Sequence, residues 1–216
     1  MKENKKIKIG CASAFWGDTN DAAAQLVKSN ELNYLVFDYL AEVTMSILAA
    51  SQMKNPDLGY ATDFISQTGP LLSEIKAQGI KVISNAGGIN PIACRKALIK
   101  EADKQGLNFK IAIVEGDNLF HQKDNFFKKR VKDIDTNSDI PKSVTSINAY
   151  LGAEPIRRAL DEGADIIITG RCVDSAVTLG PLMYEFGWKL TDYDLLAAGS
   201  LAGHIIECGA QCNGGN

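Results

Sequence analysis

The sequence predicts a three-layer, Rossmann-like α/β domain built on a mainly parallel sheet of at least five strands. Two observations lead to this fold class. Short apolar runs alternate along the chain with longer helical patterns, as they do in strand–helix–strand units. Each apolar run also ends in glycine or polar residues, which is typical of strands whose carboxyl ends form a ligand-binding edge. One such domain accounts for all of residues 1–216.

The predicted strands are short runs rich in aliphatic and β-branched residues, namely 7–13, 32–39, 80–87, 109–116 and 165–169. The predicted helices lie at 21–28, 41–53, 63–77, 91–106, 153–164, 173–186 and 192–208. Gly79 is suited to end one helix, and Pro91 is suited to begin the next. Residues 118–146 carry few apolar side chains and are interpreted as a polar, mobile insertion.

The composition excludes several classes of protein. With 45% hydrophobic residues, 23% charged residues and a net charge of -3, the chain has no basic field for nucleic acid or anionic lipid. No apolar run is long enough to span a membrane, and the charged N-terminus lacks the apolar segment of a signal peptide. Five scattered cysteines favour reduced thiols over a disulfide framework. We therefore expect a cytoplasmic protein.

Polar or glycine residues follow all five predicted strands. In a parallel sheet these ends share one edge, where ligands bind beside helix N-termini. Five in succession favour a binding face there, although such residues also cap helices and form turns. The candidates for substrate or anion binding are Gly17, Asp18, Asn85, Gly87, Gly88, Asn90, Gly170 and Arg171.

Three carboxylates at this edge are candidates for general acid or base catalysis: Asp38, Glu42 and Asp174. Desolvation at a partly buried strand end raises the pKa of a carboxyl group and so suits it to proton transfer. The structural alternative for Asp174 is that it caps the N-terminus of the following helix. That role is compatible with ligand binding.

The stretch "SNAGGINP" (84–91) is the best anion cradle in the chain. Its two glycines permit close approach of a ligand to the backbone, and a helix begins at Pro91. It is neither a G-x-G-x-x-G fingerprint nor a Walker motif. The segment "GCASAFWGD" (10–18) places Phe15 and Trp16 where a dinucleotide loop would carry glycines. A nucleotide site is therefore weakly supported, and the cofactor remains unknown.

Metal and thiol chemistry have one local candidate each. In "HIIEC" (204–208), His204 and Glu207 share a helix face with ligand spacing and could recruit strand-end carboxylates. The alternative is a buried histidine that packs within its helix. Arg171 could lower the thiol pKa of Cys172, whereas the alternative for every cysteine is a small buried residue.

Four motifs in order resemble the N-terminal domain of the acyclic terpene utilisation family: "YLVFDYLAEVT", "SNAGGINP", "NAYLGAEPIRRALDEGADIIITGRCVDSAVTLGPL" and "LAGHIIECGAQCNGG". The resemblance implies a role in bacterial catabolism of citronellol and geraniol. It implies no settled reaction or catalytic residues. Family members are longer than this chain, so a truncated product, a fragment or one half of a split protein is expected.

Three hypotheses for function follow. The first is a catabolic enzyme domain, or its substrate-binding part, that acts on a small branched acyclic terpenoid acid or its acyl-CoA thioester. The second is a non-catalytic subunit that needs a C-terminal partner half, another enzyme of the pathway or a second copy of itself. The third is a metal-dependent hydrolase or lyase that uses His204 and Glu207.

Overall fold

The computed structural model describes residues 5–213, and within them it forms one five-stranded sheet with helices on both faces. All neighbouring strands are parallel, in the order β1-β2-β3-β5-β4. The predicted fold class is therefore confirmed. The strands are β1 (Ile9–Cys11), β2 (Tyr34–Phe37), β3 (Lys81–Ser84), β4 (Ile111–Val114) and β5 (Ile166–Thr169).

Most helices lie close to their predicted positions, but one, at Lys123–Lys128, lies within the segment 118–146 that is predicted to be a polar insertion. The helices are α1 (Ala22–Lys28), α2 (Glu42–Lys54), α3 (Asp63–Thr68), α4 (Leu72–Gln78), α5 (Pro91–Lys104), α6 (Lys123–Lys128), α7 (Glu154–Asp161), α8 (Ala176–Phe186) and α9 (Tyr193–Ile206). Within residues 5–213, no helix has the length and apolar character needed to cross a membrane.

Two helix predictions need correction. The helix predicted over 63–77 is divided into α3 and α4 by a 3-10 turn at Gly69–Leu71, because Pro70 lacks the N–H that a continuous α-helix requires there. The helix predicted from Val173 begins only at Ala176. Gly79 adopts the left-handed conformation that ends α4, and Pro91 is the first residue of α5, as predicted.

The strands bury both of their faces, so alternate residues enter two separate cores. Leu35 and Phe37 of β2 pack in a first layer against helices α1 to α5, whereas Tyr34 and Val36 pack in a second layer against α7 and α8. Because both faces are buried, the strands appear in the sequence as continuous apolar runs rather than as alternating apolar and polar residues. Helix α9 covers α8, where Gly203 lies against Ser175.

The carboxyl ends of β3 and β5 form the topological switch point of the sheet. These strands are hydrogen-bonded neighbours, yet the connection after β3 packs α5 into the first layer and the connection after β5 packs α8 into the second. Adjacent chains that diverge to opposite faces leave a crevice at the carboxyl edge, where α/β proteins bind ligands.

Gly87 allows the turn after β3 to approach the end of β5. A Cβ atom at Gly87 would lie 2.5 Å from the Thr169 carbonyl oxygen and 2.8 Å from the Pro91 Cβ. We expect Gly87→Ala to lower the free energy of unfolding by about 2–3 kcal/mol in urea denaturation, because overpacking forces the backbone to shift. The matched control is Gly152→Ala, which faces open space. Equal stability of the two variants would contradict this packing argument.

Candidate active site

Asp38 and Asn85 form a buried pair at the centre of the carboxyl edge. Asp38 follows β2 and Asn85 follows β3. The Asn85 side-chain oxygen accepts the Tyr39 backbone N–H at 2.7 Å, so its Nδ2 must face Asp38, to whose Oδ1 it donates at 2.6 Å. The backbone therefore fixes the orientation of both polar side chains.

The pKa of Asp38 is raised to about 7. Burial is the main cause, since it removes water from the charged carboxylate, and the carboxylates of Asp174 and Glu207 act in the same direction. The hydrogen bond from Asn85 opposes the shift. Asp38 is therefore protonated more easily than an exposed aspartate.

Three acidic side chains converge here, and we call them the carboxylate cluster: Asp38, Asp174 and Glu207. One oxygen from each lies within 4.8 Å of the others. Glu207 follows α9, is 8% exposed and is hydrogen-bonded through Oε1 to His204 Nδ1 at 2.9 Å. Burial and the negative charge of Asp174 raise the pKa of Glu207. The cluster thus joins β2, the loop after β5 and the end of α9.

Arg171 lies beside this cluster and is 4% exposed. Its Nη1 donates to Asp174 Oδ1 at 2.7 Å and to the Cys172 carbonyl at 2.9 Å, and its backbone N–H donates to Asp117 at 2.8 Å. Its Nε is buried and has no hydrogen-bond partner among residues 5–213. One edge of the guanidinium is therefore fixed, whereas the Nε–Nη2 edge retains hydrogen-bonding capacity.

Tyr150 and Glu42 lie beside Arg171, with the Tyr150 ring against the guanidinium and Glu42 near Nη2. The Tyr150 ring centroid lies 4.1 Å from the guanidinium carbon, and the Tyr150 hydroxyl donates to the Glu42 carboxylate. Glu42, whose side chain is 77% exposed, places Oε1 3.9 Å from Arg171 Nη2. The hydrogen bond from Tyr150 lowers the pKa of Glu42. A carboxylate of the protein itself thus already lies near Nη2.

Exposed apolar side chains lie close in sequence to these polar residues. Val43 follows Glu42, Val173 precedes Asp174, and the Phe15 carbonyl accepts the Ser13 hydroxyl, which also contacts the Asp38 carbonyl. Charged side chains at the carboxyl edge therefore have exposed aliphatic and aromatic neighbours in the chain.

The structure brings together five of the residues singled out from sequence: Asp38, Asn85, Arg171, Asp174 and Glu207. Their convergence at one sheet edge is as expected. Their roles in catalysis and ligand binding, and the role of Glu42 beside Arg171, stay predictions.

The remaining candidates for anion binding have internal partners. Asp18 accepts hydrogen bonds from the Ala14 N–H and from Gln211, after Gly17 turns the chain with a φ of 92°. Asn90 caps α5 by accepting the Ala93 N–H. Anion binding by Gly17, Asp18 and Asn90 stays a prediction beside these structural roles.

The glycines of the predicted cradle, and Gly170 after β5, face protein atoms. A Cβ at Gly88 would meet the Gly59 carbonyl, one at Gly170 would meet the Asp117 carboxylate, and Gly87 contacts β5 as described above. These contacts give each glycine a packing reason for being glycine. Their predicted contact with an anion is untested.

Four sequence interpretations were wrong. The charge of Arg171 acts to lower the pKa of the Cys172 thiol, but burial outweighs it and raises that pKa to about 12, so Cys172 is not an activated thiol. Cys208 and Cys212 are exposed, so not every cysteine is buried. The His204 side chain is 75% exposed, so it is not a buried packing residue. Asp174 does not cap α8, since its carboxylate binds Arg171 and no side-chain cap is present.

The site residues selected from the sequence do not include Asp117 or Tyr150. Asp117 lies in the polar stretch after β4 that the strand-end rule marks, and it anchors the Arg171 backbone. Tyr150 carries no comparable signal. Its position depends on the chain after the insertion returning to β5, where Leu151 pairs with Cys172.

Comparison with known proteins gives a family match over nearly the whole chain. The model described as "Acyclic terpene utilisation family protein AtuA" matches residues 7–216. Neither the curated proteins nor the solved structures gave a match. The matched range includes every residue of the candidate site.

Proposed function

The chain belongs to the acyclic terpene utilisation family, and we propose that it is a catabolic enzyme domain acting on a branched acyclic terpenoid acid or its coenzyme A thioester. The observation that carries this proposal is the buried guanidinium of Arg171, whose Nε has no hydrogen-bond partner among residues 5–213, together with exposed apolar side chains at nearby positions in the chain. A substrate with an anionic head and a branched aliphatic tail matches both features.

Arg171 is the proposed partner of the substrate's anionic group. A guanidinium binds a carboxylate through two parallel N–H groups, and Nη1 is already committed to Asp174 and the Cys172 carbonyl. The Nε–Nη2 edge is left, and Glu42 lies 3.9 Å from it. In our proposal the substrate's carboxylate takes the place of Glu42 after the Tyr150 side chain swings outward.

The branched tail is proposed to contact exposed apolar side chains near the site. Val43, Val173 and Phe15 are exposed, and covering them with an aliphatic chain removes apolar surface from water at about 25 cal/mol per Å². The reacting carbons then lie near the carboxylate cluster. Asp38 and Asp174 of the cluster, and Glu42 near Nη2 of Arg171, are the proposed groups for proton transfer.

The proposal is tested with an acid and an alcohol that share one carbon skeleton. We expect calorimetry to show that citronellic acid binds the chain at least about tenfold more tightly than citronellol, since a charge-assisted hydrogen bond contributes about 1.5–3 kcal/mol. Citronellyl-CoA distinguishes the thioester from the free acid, and a straight-chain acid reports the effect of branching. Equal binding of acid and alcohol would overturn the proposal.

Glu42→Gln is expected to strengthen binding of the acid by about two- to fivefold and to leave binding of the alcohol unchanged. The substitution removes a negative charge that competes for Arg171, and an exposed charge pair is worth about 0.2–1 kcal/mol. The control is Glu115→Gln, which removes an exposed carboxylate after β4 at the same sheet edge. Weaker acid binding in Glu42→Gln would mean that Glu42 recognises the substrate instead of competing with it.

The cytoplasm is the compartment that we propose for this activity. All five cysteines are free thiols, which suits a reducing environment. A small molecule is the proposed binding partner, because the net charge of -3 offers no support for binding nucleic acid.

A further inference from the structure

We propose that the carboxylate cluster binds one divalent cation of the oxygen-preferring class, such as Mg²⁺, Mn²⁺ or Ca²⁺, through Asp38, Asp174 and Glu207. One oxygen from each side chain lies within 4.8 Å of the other two. Two oxygens on opposite sides of such an ion are about 4–5 Å apart. The three side chains can therefore reach one ion through small changes in their rotamers. The inference does not depend on the identity of the substrate.

A second observation independently points to a ligand. Glu207 Oε2 is buried and has no hydrogen-bond partner within the described part of the chain, and the whole residue is only 8% exposed. A buried carboxylate oxygen without a partner costs several kcal/mol unless something compensates it. Since Glu207 lies within ligand distance of Asp38 and Asp174, a cation between the three would compensate all of them.

The local charges favour the same conclusion. Three carboxylates meet at this point, and among residues 5–213 Arg171 is the only lysine or arginine that forms an ion pair with any of them. It binds Asp174 on one side and leaves Asp38 and Glu207 without a cationic partner from lysine or arginine. A divalent ion would balance this excess of negative charge.

The donor atoms select the type of ion. A set of three carboxylates without sulfur or imidazole favours Mg²⁺, Mn²⁺ or Ca²⁺ over Zn²⁺ or copper. His204 is bonded to Glu207 Oε1 and its side chain points largely into solvent. We therefore assign it the role of orienting Glu207, as partners of metal-binding carboxylates do. This ligand set differs from the one that the "HIIEC" spacing suggested.

The cation would alter the division of roles in the proposed enzyme. It would polarise a substrate oxygen as a Lewis acid, whereas Asp38 and Asp174 would serve as ligands. Of the proposed proton-transfer groups, Glu42 would keep that role, because it lies outside the cluster and on the other side of Arg171.

The experiment uses the full chain after removal of metals with a chelator. Mn²⁺ is titrated while electron paramagnetic resonance follows the loss of the free-ion signal, and Mg²⁺ and Ca²⁺ are then added as competitors. We expect one Mn²⁺ per chain and a concentration-dependent rise in the melting temperature. Absence of Mn²⁺ binding at millimolar concentration would overturn the proposal.

Matched variants identify the ligands. Asp38→Asn and Glu207→Gln are expected to weaken Mn²⁺ binding by more than about tenfold, because even residues that only orient a ligand contribute 10–100-fold. Glu115→Gln should bind Mn²⁺ like the parent chain. In chelator, Asp38→Asn and Glu207→Gln should melt no lower than the parent chain, since each removes like-charge repulsion. Unchanged Mn²⁺ binding in Glu207→Gln, or an equal loss in Glu115→Gln, would refute the site.

Discussion

Replacing Asn85 with aspartate is expected to lower the free energy of unfolding at pH 8 by about 2–3 kcal/mol. The two side chains have the same shape, so the bond from the Tyr39 N–H is retained. The amide that donates to Asp38 Oδ1 at 2.6 Å, however, becomes a carboxylate oxygen. Two buried carboxylates then face each other where a donor and an acceptor had paired.

The decrease in the free energy of unfolding caused by Asn85→Asp should depend strongly on pH. In the folded variant the two carboxyl groups share a proton with a raised pKa, whereas in the unfolded chain both titrate near pH 4. Between these values the folded state binds more protons than the unfolded state, so stability falls as the pH rises. In the parent chain the raised pKa of Asp38, about 7, likewise makes stability fall as the pH rises. We therefore expect the variant to show the steeper decline.

Urea denaturation of both proteins at pH 5 and pH 8 measures this difference. The deficit of Asn85→Asp should be small at pH 5 and largest at pH 8. Asn125→Asp in α6 serves as the control, because Asn125 is exposed and its substitution adds the same charge without a buried partner. An equal deficit at both pH values would show that the loss of the amide donor, and not the charge of the new carboxylate, destabilises the variant.

The fold class was predictable because each strand is a clear apolar run in the sequence. Runs such as Ile166–Ile168 are buried on both sides, and their continuous apolar character is visible in the sequence. The order of the strands was not predictable, since hydrophobic periodicity carries no information about which strands become neighbours. The insertion of β5 between β3 and β4 brings the loop of Asn85 beside that of Arg171.

The site was predictable only in part, for a similar reason. The rule that polar residues end the strands of a parallel sheet finds Asp38, Asn85 and Arg171. It cannot find the third member of the carboxylate cluster, because Glu207 follows a helix and reaches the edge through the packing of α9 on α8. The half-exposed Tyr150 has no sequence pattern around it that predicts a site residue. Its position over Arg171 arises from long-range contacts alone.

Arg171→Met is expected to have the largest effect on stability, about 3–5 kcal/mol, because breaking a buried ion pair leaves uncompensated charge. The variant removes the partner of Asp174 and leaves three carboxylates within 4.8 Å of one another. Arg157→Met is the control. Arg157 forms surface ion pairs with Glu154 and Asp161 on α7, so its loss should cost less than about 1 kcal/mol.

A double-mutant cycle separates charge from packing at Arg171. If Arg171 acts by neutralising Asp174, then adding Asp174→Asn to Arg171→Met should recover about 1–3 kcal/mol. If Arg171 acts mainly through its contact with the Tyr150 ring, the two losses should simply add. In the first case Mn²⁺ should also stabilise Arg171→Met more than the parent chain, because the cation becomes the remaining positive charge at the cluster. The cycle and the Mn²⁺ measurement together show how much of the repulsion between the three carboxylates is offset by the guanidinium and how much by a bound cation.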